Sequence, residues 1–444
     1  MGKRLLVQLQ LSNYANGKFV LECDSGYQMA MGRVREMLKH NPDLHVDIMG
    51  PVIDDMDGPD SNFIQTVTRP ENINPDIFST GRVTYRQHWI KPNALATRYD
   101  FDFDGIAWAL ELEKHKTNPE LKYDAIYLND PMHVRNFRAL FHIIAGYQPY
   151  FVTHSHFIDT PSCSLFAKNP FDPTHAEKMT SLWHGQVEGA MKSDFNFWQC
   201  ESSMDIFFEE MAKQYSLKLV NEVREKSRPW DDGYSVSEMN APIDYASLRF
   251  KLPEDKIIIF VPNRVGDGKR SSDYTNCGKF LFDIANKMYA NSKDFVIVAG
   301  NPSQKIPNSE LKENCKPLFE ILPEGTVTRN EYRYIASKAH IVVGLYDQDS
   351  YGGTASRECI EMGALPLWID NYEYKLIGDK INYPFRGRTD FAGLDSVALM
   401  LVDYCKSDVS KQLFNWHGKI KGLIRERCSY EATTPAMMKI MGLL

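Results

Sequence analysis

The stretch IIIFVPNRVGDGK, residues 257–269, has the pattern of a buried strand followed by a glycine-containing loop. Arg264 and Lys269 stand five residues apart in that loop. They follow the carboxyl end of the strand, which is where ligands bind in open α/β sheets. A guanidinium fork and an ammonium charge together suit a diphosphate. The alternative is a solvated loop with no ligand.

A second stretch, SYGGTASRECIEMGALPLW at residues 350–368, adds a carboxylate to these cations. Its turn 352–354, Gly-Gly-Thr, is expected to open a helix, and the amino end of a helix favours an anion. Glu358 follows about one turn later, where a carboxylate can accept hydrogen bonds from both hydroxyl groups of a ribose. The alternative for Glu358 is an ordinary acid on a helix surface. Gly363 is predicted to end this helix.

Short apolar strands alternate with amphipathic helices along the whole chain, which predicts an α/β protein with parallel sheets. Strands are expected at 5–11, 45–49, 125–128, 150–153 and 195–199, the last of which ends the first half, and then at 256–261, 295–298, 341–344 and 365–369. The segment 226–245 is rich in Pro, Asp, Ser and Gly and lacks apolar periodicity, so it is expected to be a linker. We therefore predict one domain over 1–240, a second over 246–428, and a helix over 429–444 that packs back on the first domain.

The composition excludes several classes of protein. The length of 444 residues is enough for two domains, and no apolar run is long enough to span a bilayer. Eight scattered cysteines without a C-x-x-C pair are expected to be reduced thiols of a cytoplasmic protein, with no zinc site. The net charge of −7 excludes a general affinity for polyanions, so any contact with nucleic acid must be local.

On these residues the second half resembles the nucleotide-binding domain of retaining glycosyltransferases of the GT-B fold, the family 4-like group that includes sucrose and glycogen synthases. That group has an Arg and a Lys five residues apart after the first strand of the domain, which Arg264 and Lys269 match. It also has a Glu-x7-Glu helix followed by Gly and Pro before a strand. Glu358 matches the second acid, while Ser350 replaces the first. The resemblance covers roughly residues 250–370.

The resemblance implies two Rossmann-like domains that face each other across a cleft, and retaining transfer of a sugar from a UDP-sugar to an acceptor hydroxyl. The UDP-sugar is a co-substrate, and no metal or other cofactor is implied because the Arg/Lys pair balances the diphosphate charge. The D-x-D sequences at 100–104 and 347–349 are accordingly not interpreted as metal sites, and the first is interpreted as a loop before a helix at 106–114. The implied donor-binding residues are Arg264, Lys269, Ser350, Gly352, Gly353, Thr354 and Glu358.

A narrower resemblance links the chain to phage DNA α-glucosyltransferases through Glu358, Gly363, Pro366 and Trp368. Those enzymes also have a His-Asp-His strand end, which here reads His-Ser-His at 154–156. This resemblance implies a DNA-modifying hexosyl- or pentosyltransferase of the host cytoplasm. It would put glucose or a pentose such as arabinose on 5-hydroxymethylcytosine in double-stranded DNA, as a monomer or weak dimer without a membrane partner.

The acceptor side of the site is expected in the first half of the chain. For catalysis we name His154 and Asp130 together with Arg264 and Lys269, and for acceptor binding His133, His156, Arg86 and Trp89. The alternative for each histidine is a buried, hydrogen-bonded ring. The alternative for the basic and aromatic stretch 82–99 is an edge strand with a solvated face.

Three other functions stay open at this point. One is a nucleotide-sugar epimerase of the GT-B fold, and another is a glycosyltransferase that acts on a glycan or lipid. A third is a non-catalytic DNA-binding protein, against which the negative net charge and the intact Arg/Lys/Glu set argue.

Overall fold

The computed structural model describes most of the chain. The described residues are 2–9, 18–19, 21, 25–53, 65–66, 69–88, 90–92, 101–103, 105–129, 131–155, 173–231, 233–262, 295–299, 327–344, 353–369, 372–383, 386–387 and 409–444. They form two compact units. Unit 1 comprises Met1–Gly233 and Tyr430–Leu444, and unit 2 comprises Tyr234–Ser429.

Strands and helices alternate within each unit, as the periodicity predicts. The strands in the described part of the chain are β1 (Arg4–Gln8), β2 (Lys18–Phe19), β3 (His45–Ile53), β4 (Gln65–Thr66), β5 (Val83–His88), β6 (Ile90–Pro92), β7 (Phe101–Phe103), β8 (Ala125–Leu128), β9 (Tyr150–Ser155), β10 (Phe195–Trp198), β11 (Ser227–Pro229), β12 (Ile257–Val261), β13 (Phe295–Ala299), β14 (Ile341–Gly344), β15 (Leu365–Ile369) and β16 (Arg386–Gly387). The helices there are α1 (Ser25–His40), α2 (Pro70–Ile73), α3 (Pro75–Phe78), α4 (Gly105–Thr117), α5 (Val134–Leu140), α6 (Pro173–Lys192), α7 (Glu201–Gln214), α8 (Leu217–Glu225), α9 (Val236–Met239), α10 (Arg329–Lys338), α11 (Thr354–Met362), α12 (Tyr372–Ile381), α13 (Val409–Cys428) and α14 (Tyr430–Ile440). None of the described helices is both long and apolar enough to cross a bilayer.

The sheet of unit 1 has the order β11-β10-β9-β8-β1-β3-β4-β2, with β5 beside β3, and its strand pairs are parallel. Continuous apolar runs such as β8, where every residue is buried, are typical of strands covered on both faces. On one face, α1 packs against α14, with Met31 and Met437 fully buried. Because the strands are parallel, the carboxyl ends of β1, β8, β9 and β10 lie at one edge.

The sheet of unit 2 has the order β13-β12-β14-β15-β16 and is also parallel. Its core combines strand residues such as Ile258 and Val342 with Ile360 of α11 and Ile420 of α13. Since β14 and β15 are parallel neighbours joined through α11, the amino end of that helix lies at the carboxyl edge of the sheet. The predicted ligand-binding edge is thus the one that α11 faces.

Three expectations about the first half of the chain are wrong. Phe101–Phe103 is not a loop but β7, which pairs antiparallel with β6, since the alternation of Phe and Asp there has the period of a strand. β10 is not the last strand of the unit, because β11 pairs with it inside the segment expected to be a linker. The same segment contains α9, so its lack of apolar periodicity did not mean a lack of structure.

Gly189 marks a close contact between α6 and the chain just before α5. A Cβ atom at Gly189 would lie 1.8 Å from the carbonyl oxygen of Pro131, which no side-chain adjustment can relieve. We expect Gly189→Ala to lower the free energy of unfolding by about 1–3 kcal/mol, the range for overpacking. Gly422→Ala is the matched control, because a Cβ at this exposed position of α13 meets nothing within 4 Å and should stabilise by up to about 1 kcal/mol. Denaturant unfolding of both variants tests this prediction. Equal unfolding midpoints for the two variants would contradict the close contact between Gly189 and Pro131.

Candidate nucleotide-sugar site

The helix predicted to open at residues 352–354 is present, and it is described from Gly353 onwards. Gly353 is the N-cap of α11, with φ −107° and ψ 128°, and the helix runs from Thr354 to Met362. Gly363 ends it with φ 122°, a conformation that favours glycine. The strand β15 follows at once, from Leu365. This confirms the predicted order of strand, helix and strand, β14, α11 and β15, on which the predicted donor site depends.

Glu358 lies on α11 and is almost fully buried, with 6% of the residue exposed. Both of its carboxylate oxygens accept hydrogen bonds from Arg329: Nη1 donates to Oε2 at 3.1 Å, and Nη2 donates to Oε1. Arg329 also donates from Nε to Oε1 of Glu238 at 2.7 Å. Glu358 is therefore not an isolated surface acid but one half of a forked ion pair, in which both partners are held in place.

Arg329 was not singled out from the sequence, although a signal for its helix is present. Thr328 and Glu331 form a capping box at the start of α10, and the sequence Thr-x-x-Glu predicts such a start. Arg329 is the first residue of this helix. What the sequence does not reveal is that this residue faces Glu358, which is 29 positions away.

Tyr332 and Cys359 fill the space between α10 and α11. The guanidinium of Arg329 lies 5.1 Å from the centroid of the Tyr332 ring. The Tyr332 hydroxyl donates to the carbonyl of Ala355 at 3.0 Å, and burial raises the pKa of that hydroxyl well above its ordinary value. Burial also raises the pKa of the Cys359 thiol, so this cysteine stays protonated and is a packing residue, not a nucleophile.

Glu361, three residues after Glu358, ties α11 to α13. It is fully buried and accepts hydrogen bonds from Arg425 Nε at 2.6 Å, from Asn240 Nδ2 at 2.8 Å and from the Tyr234 hydroxyl at 3.1 Å. Lys421 Nζ lies 3.3 Å from the same carboxylate. Burial alone raises the pKa of Glu361, but the bonds from Arg425 and Asn240 outweigh it and hold the pKa below its ordinary value. These contacts hold α11 against α13 through Glu361.

His154 is fully buried in β9. Its Nδ1 lies 2.7 Å from the Tyr127 hydroxyl and 3.3 Å from Arg33 Nη1, and its Nε2 lies 3.2 Å from the carbonyl oxygen of Trp230. Since a carbonyl can only accept, Nε2 carries the proton and Nδ1 is the acceptor. His133 is also buried, with 5% exposed. Both histidines thus have the buried geometry that the sequence analysis gave as their alternative.

Arg86 forms ion pairs with acids of unit 1. It lies on β5, with Nη2 3.4 Å from Asp47 Oδ2 and Nη1 3.9 Å from Glu111. Asp47 is itself buried and also accepts from Arg4 at 2.8 Å and from the Tyr123 hydroxyl at 2.7 Å. The charge of Arg86 is therefore balanced by the protein, which is the arrangement expected of a structural cation.

The remaining predicted site residues lie outside the described residues, namely Asp130, His156, Trp89, Arg264, Lys269, Ser350 and Gly352. Their roles stay predictions. Within the ranges that the structure describes, no three His, Cys, Asp or Glu side chains are grouped as metal ligands would be.

No protein-family model matches the chain, and no curated protein matches it either. Solved structures do match its fold. Anabaena Alr3699/HepE in complex with UDP is 11% identical, with 100% of both chains covered and a TM-score of 0.58. A Rickettsia africae glycosyltransferase is 12% identical over 99% of this chain and 98% of its own, with a TM-score of 0.60. Medicago truncatula UGT71G1 in complex with UDP-glucose is 12% identical over 99% of each chain, with a TM-score of 0.56. The two parallel α/β units are thus those of the GT-B fold that the sequence predicts.

Proposed function

We propose that this protein is a glycosyltransferase that takes its sugar from a UDP-sugar. The observation that carries the proposal is Glu358, held in a buried ion pair on the helix that begins at Gly353, at the carboxyl edge of the sheet of unit 2. Solved proteins of similar fold were crystallised with UDP or UDP-glucose. In our proposal the carboxylate of Glu358 accepts hydrogen bonds from the ribose hydroxyl groups.

The diphosphate would be bound by groups of opposite charge around the start of α11. Arg264 and Lys269 stabilise the negative charge that develops on the leaving UDP, and the amino end of the helix at Gly353–Thr354 adds its dipole. Ser350 stands where the resemblance has the acid next to the donor sugar. These cations do in the proposed mechanism what a divalent metal does in other glycosyltransferases.

We propose that transfer occurs with retention and that a phosphate oxygen of the leaving UDP takes the proton of the acceptor hydroxyl. This step requires no protein base. It is therefore compatible with the structure around His154, whose two ring nitrogens already have partners. Asp130 and His156 remain the candidates for contact with the reacting groups from unit 1.

The acceptor proposed from the phage resemblance is the hydroxymethyl group of 5-hydroxymethylcytosine in double-stranded DNA. One observation favours a second candidate, a glycan or other acceptor without phosphate charge. Arg82 donates from Nη1 to the carbonyls of Leu38, Asn41 and Pro42, and Arg86 is paired with Asp47. Two cations of the stretch expected to hold DNA are thus bonded to the protein itself.

Mass spectrometry can test the proposal. The protein is incubated with a panel of UDP-sugars and either hydroxymethylcytosine DNA, unmodified DNA or oligosaccharides, and the acceptors and the released nucleotide are measured. We expect UDP release that depends on one acceptor and an acceptor mass increased by one sugar. A new UDP-sugar formed without any acceptor would indicate the epimerase instead, and failure to bind any nucleotide or nucleotide-sugar would contradict the donor site.

A further inference from the structure

The bonds between Arg329 and Glu358 leave a defined part of the carboxylate unused. Each oxygen accepts one N–H of the guanidinium fork. An ionised carboxylate has about four acceptor sites, so about two remain, one on each oxygen. No other hydrogen bond to Glu358 is formed within the described part of the chain. The Glu358 side chain is 8% exposed.

Arg329 is itself held in a way that fixes the direction of the fork. Its Nε donates to Glu238 of α9, its guanidinium lies over the ring of Tyr332, and its backbone begins α10 beside the capping residue Thr328. A planar guanidinium restrained on three sides gives the carboxylate of Glu358 one preferred orientation. Rotation of that carboxylate would break two charge-assisted bonds at once.

The charges of this group select the kind of ligand atom that can join it. The guanidinium of Arg329 lies between two carboxylates, those of Glu238 and Glu358. The unused sites on Glu358 are acceptors. A pair of hydroxyl groups on adjacent carbons can donate to both, whereas an ionised phosphate has no proton to donate.

We infer that Arg329 is a positioning residue for nucleoside recognition: it holds Glu358 so that the two unused acceptor sites bind the 2′- and 3′-hydroxyl groups of the UDP ribose. This inference rests on the proposed function, since it needs a nucleotide at the start of α11. It adds a residue of α10 to a donor site otherwise assigned to two loops and α11.

The test compares UDP with 2′,3′-dideoxy-UDP, which lacks both hydroxyl groups. Dissociation constants for the two are measured by calorimetry for the wild-type protein, Arg329→Met, Arg329→Lys and Glu358→Gln. We expect the wild type to prefer UDP by at least about tenfold, the effect of one net hydrogen bond to a charged group. Arg329→Met and Glu358→Gln should both bring this ratio close to one, with little change in binding of the dideoxy compound. Arg329→Lys, which keeps the charge but not the fork, should retain an intermediate ratio.

Arg249→Met is the matched control. Arg249 is 40% exposed, as is Arg329, and it also forms a forked pair with an acid of α10, Glu331, which does not contact Glu358. This variant should lose stability yet keep the wild-type ratio. The double variant Arg329→Met/Glu358→Gln should show no further loss, because both changes remove the same interaction.

The outcomes separate the inference from the proposed function. If the wild type binds UDP and prefers it, but Arg329→Met keeps that preference, the positioning role is wrong and the donor site stands. If Arg249→Met lowers the ratio as much as Arg329→Met does, the effect is a general loosening of α10 and the inference is overturned. If the wild type binds neither nucleotide, the proposed function itself fails.

Discussion

Replacing Arg264 with alanine is expected to slow sugar transfer by about 10²–10³-fold, the usual cost of removing one group that stabilises transition-state charge. In the proposed reaction the bond between the sugar and UDP breaks as charge moves onto the diphosphate, so a cation at the diphosphate would act more strongly on the transition state than on the bound donor. The substitution should accordingly lower kcat strongly and change KM less. Arg264→Lys should recover part of it, because the charge remains but the fork is lost.

The measurement is UDP release at saturating donor, with circular dichroism and thermal unfolding to show that the fold is retained. Lys251→Ala is the control, since it removes an exposed cation of unit 2 from outside the predicted diphosphate loop. It should leave kcat and KM unchanged. Full activity of Arg264→Ala would mean that the diphosphate is not bound by the loop after β12.

Local patterns in the sequence predicted four strands of unit 2, β12 to β15, and the helix α11. The strands Ile341–Gly344 and Leu365–Ile369 have the bounds that their apolar runs predict, and Gly353 and Gly363 begin and end the helix between them. Each of these features depends on neighbouring residues only: burial of a short apolar run, or the backbone freedom of glycine. The strand and helix bounds on which the predicted donor site depends could therefore be predicted from local patterns, while the site residues at 264, 269, 350 and 352 stay predictions.

Features that depend on distant residues could not be predicted in this way. Arg329 and Glu358 are 29 positions apart, and Arg425 and Glu361 are 64 apart, so each pair is set by how the helices pack. His154 is another case. β9 was expected to end at residue 153 but continues to Ser155, which places His154 inside the sheet between β8 and β10. Extended pairing with neighbouring strands, which no local pattern reveals, decided its burial.

The largest loss of stability is expected from Glu361→Ala, at about 3 kcal/mol. Removing one partner of a buried ion pair costs about 3–5 kcal/mol because the remaining charge is uncompensated. The lower end of this energy range applies here, since the Arg425 side chain is 43% exposed and can turn towards water. Denaturant unfolding measures the change. Glu426→Ala, at an exposed acid of the same helix as Arg425, is the control and should stay within about 0.5 kcal/mol of the wild type.

The same carboxylate predicts how stability depends on pH. The pKa of Glu361 in the folded protein lies below its ordinary value of 4.5, so the ionised form contributes stability that is fully present above pH 4.5 and is lost as the pH falls through the lowered pKa. In Glu361→Gln no such group titrates. The difference in unfolding free energy between wild type and Glu361→Gln should therefore be constant above this pH and shrink below it. A difference that stays the same down to pH 3 would show that Glu361 has the same pKa in the folded and the unfolded protein, and that its ionised form contributes no stability through Arg425 and Asn240.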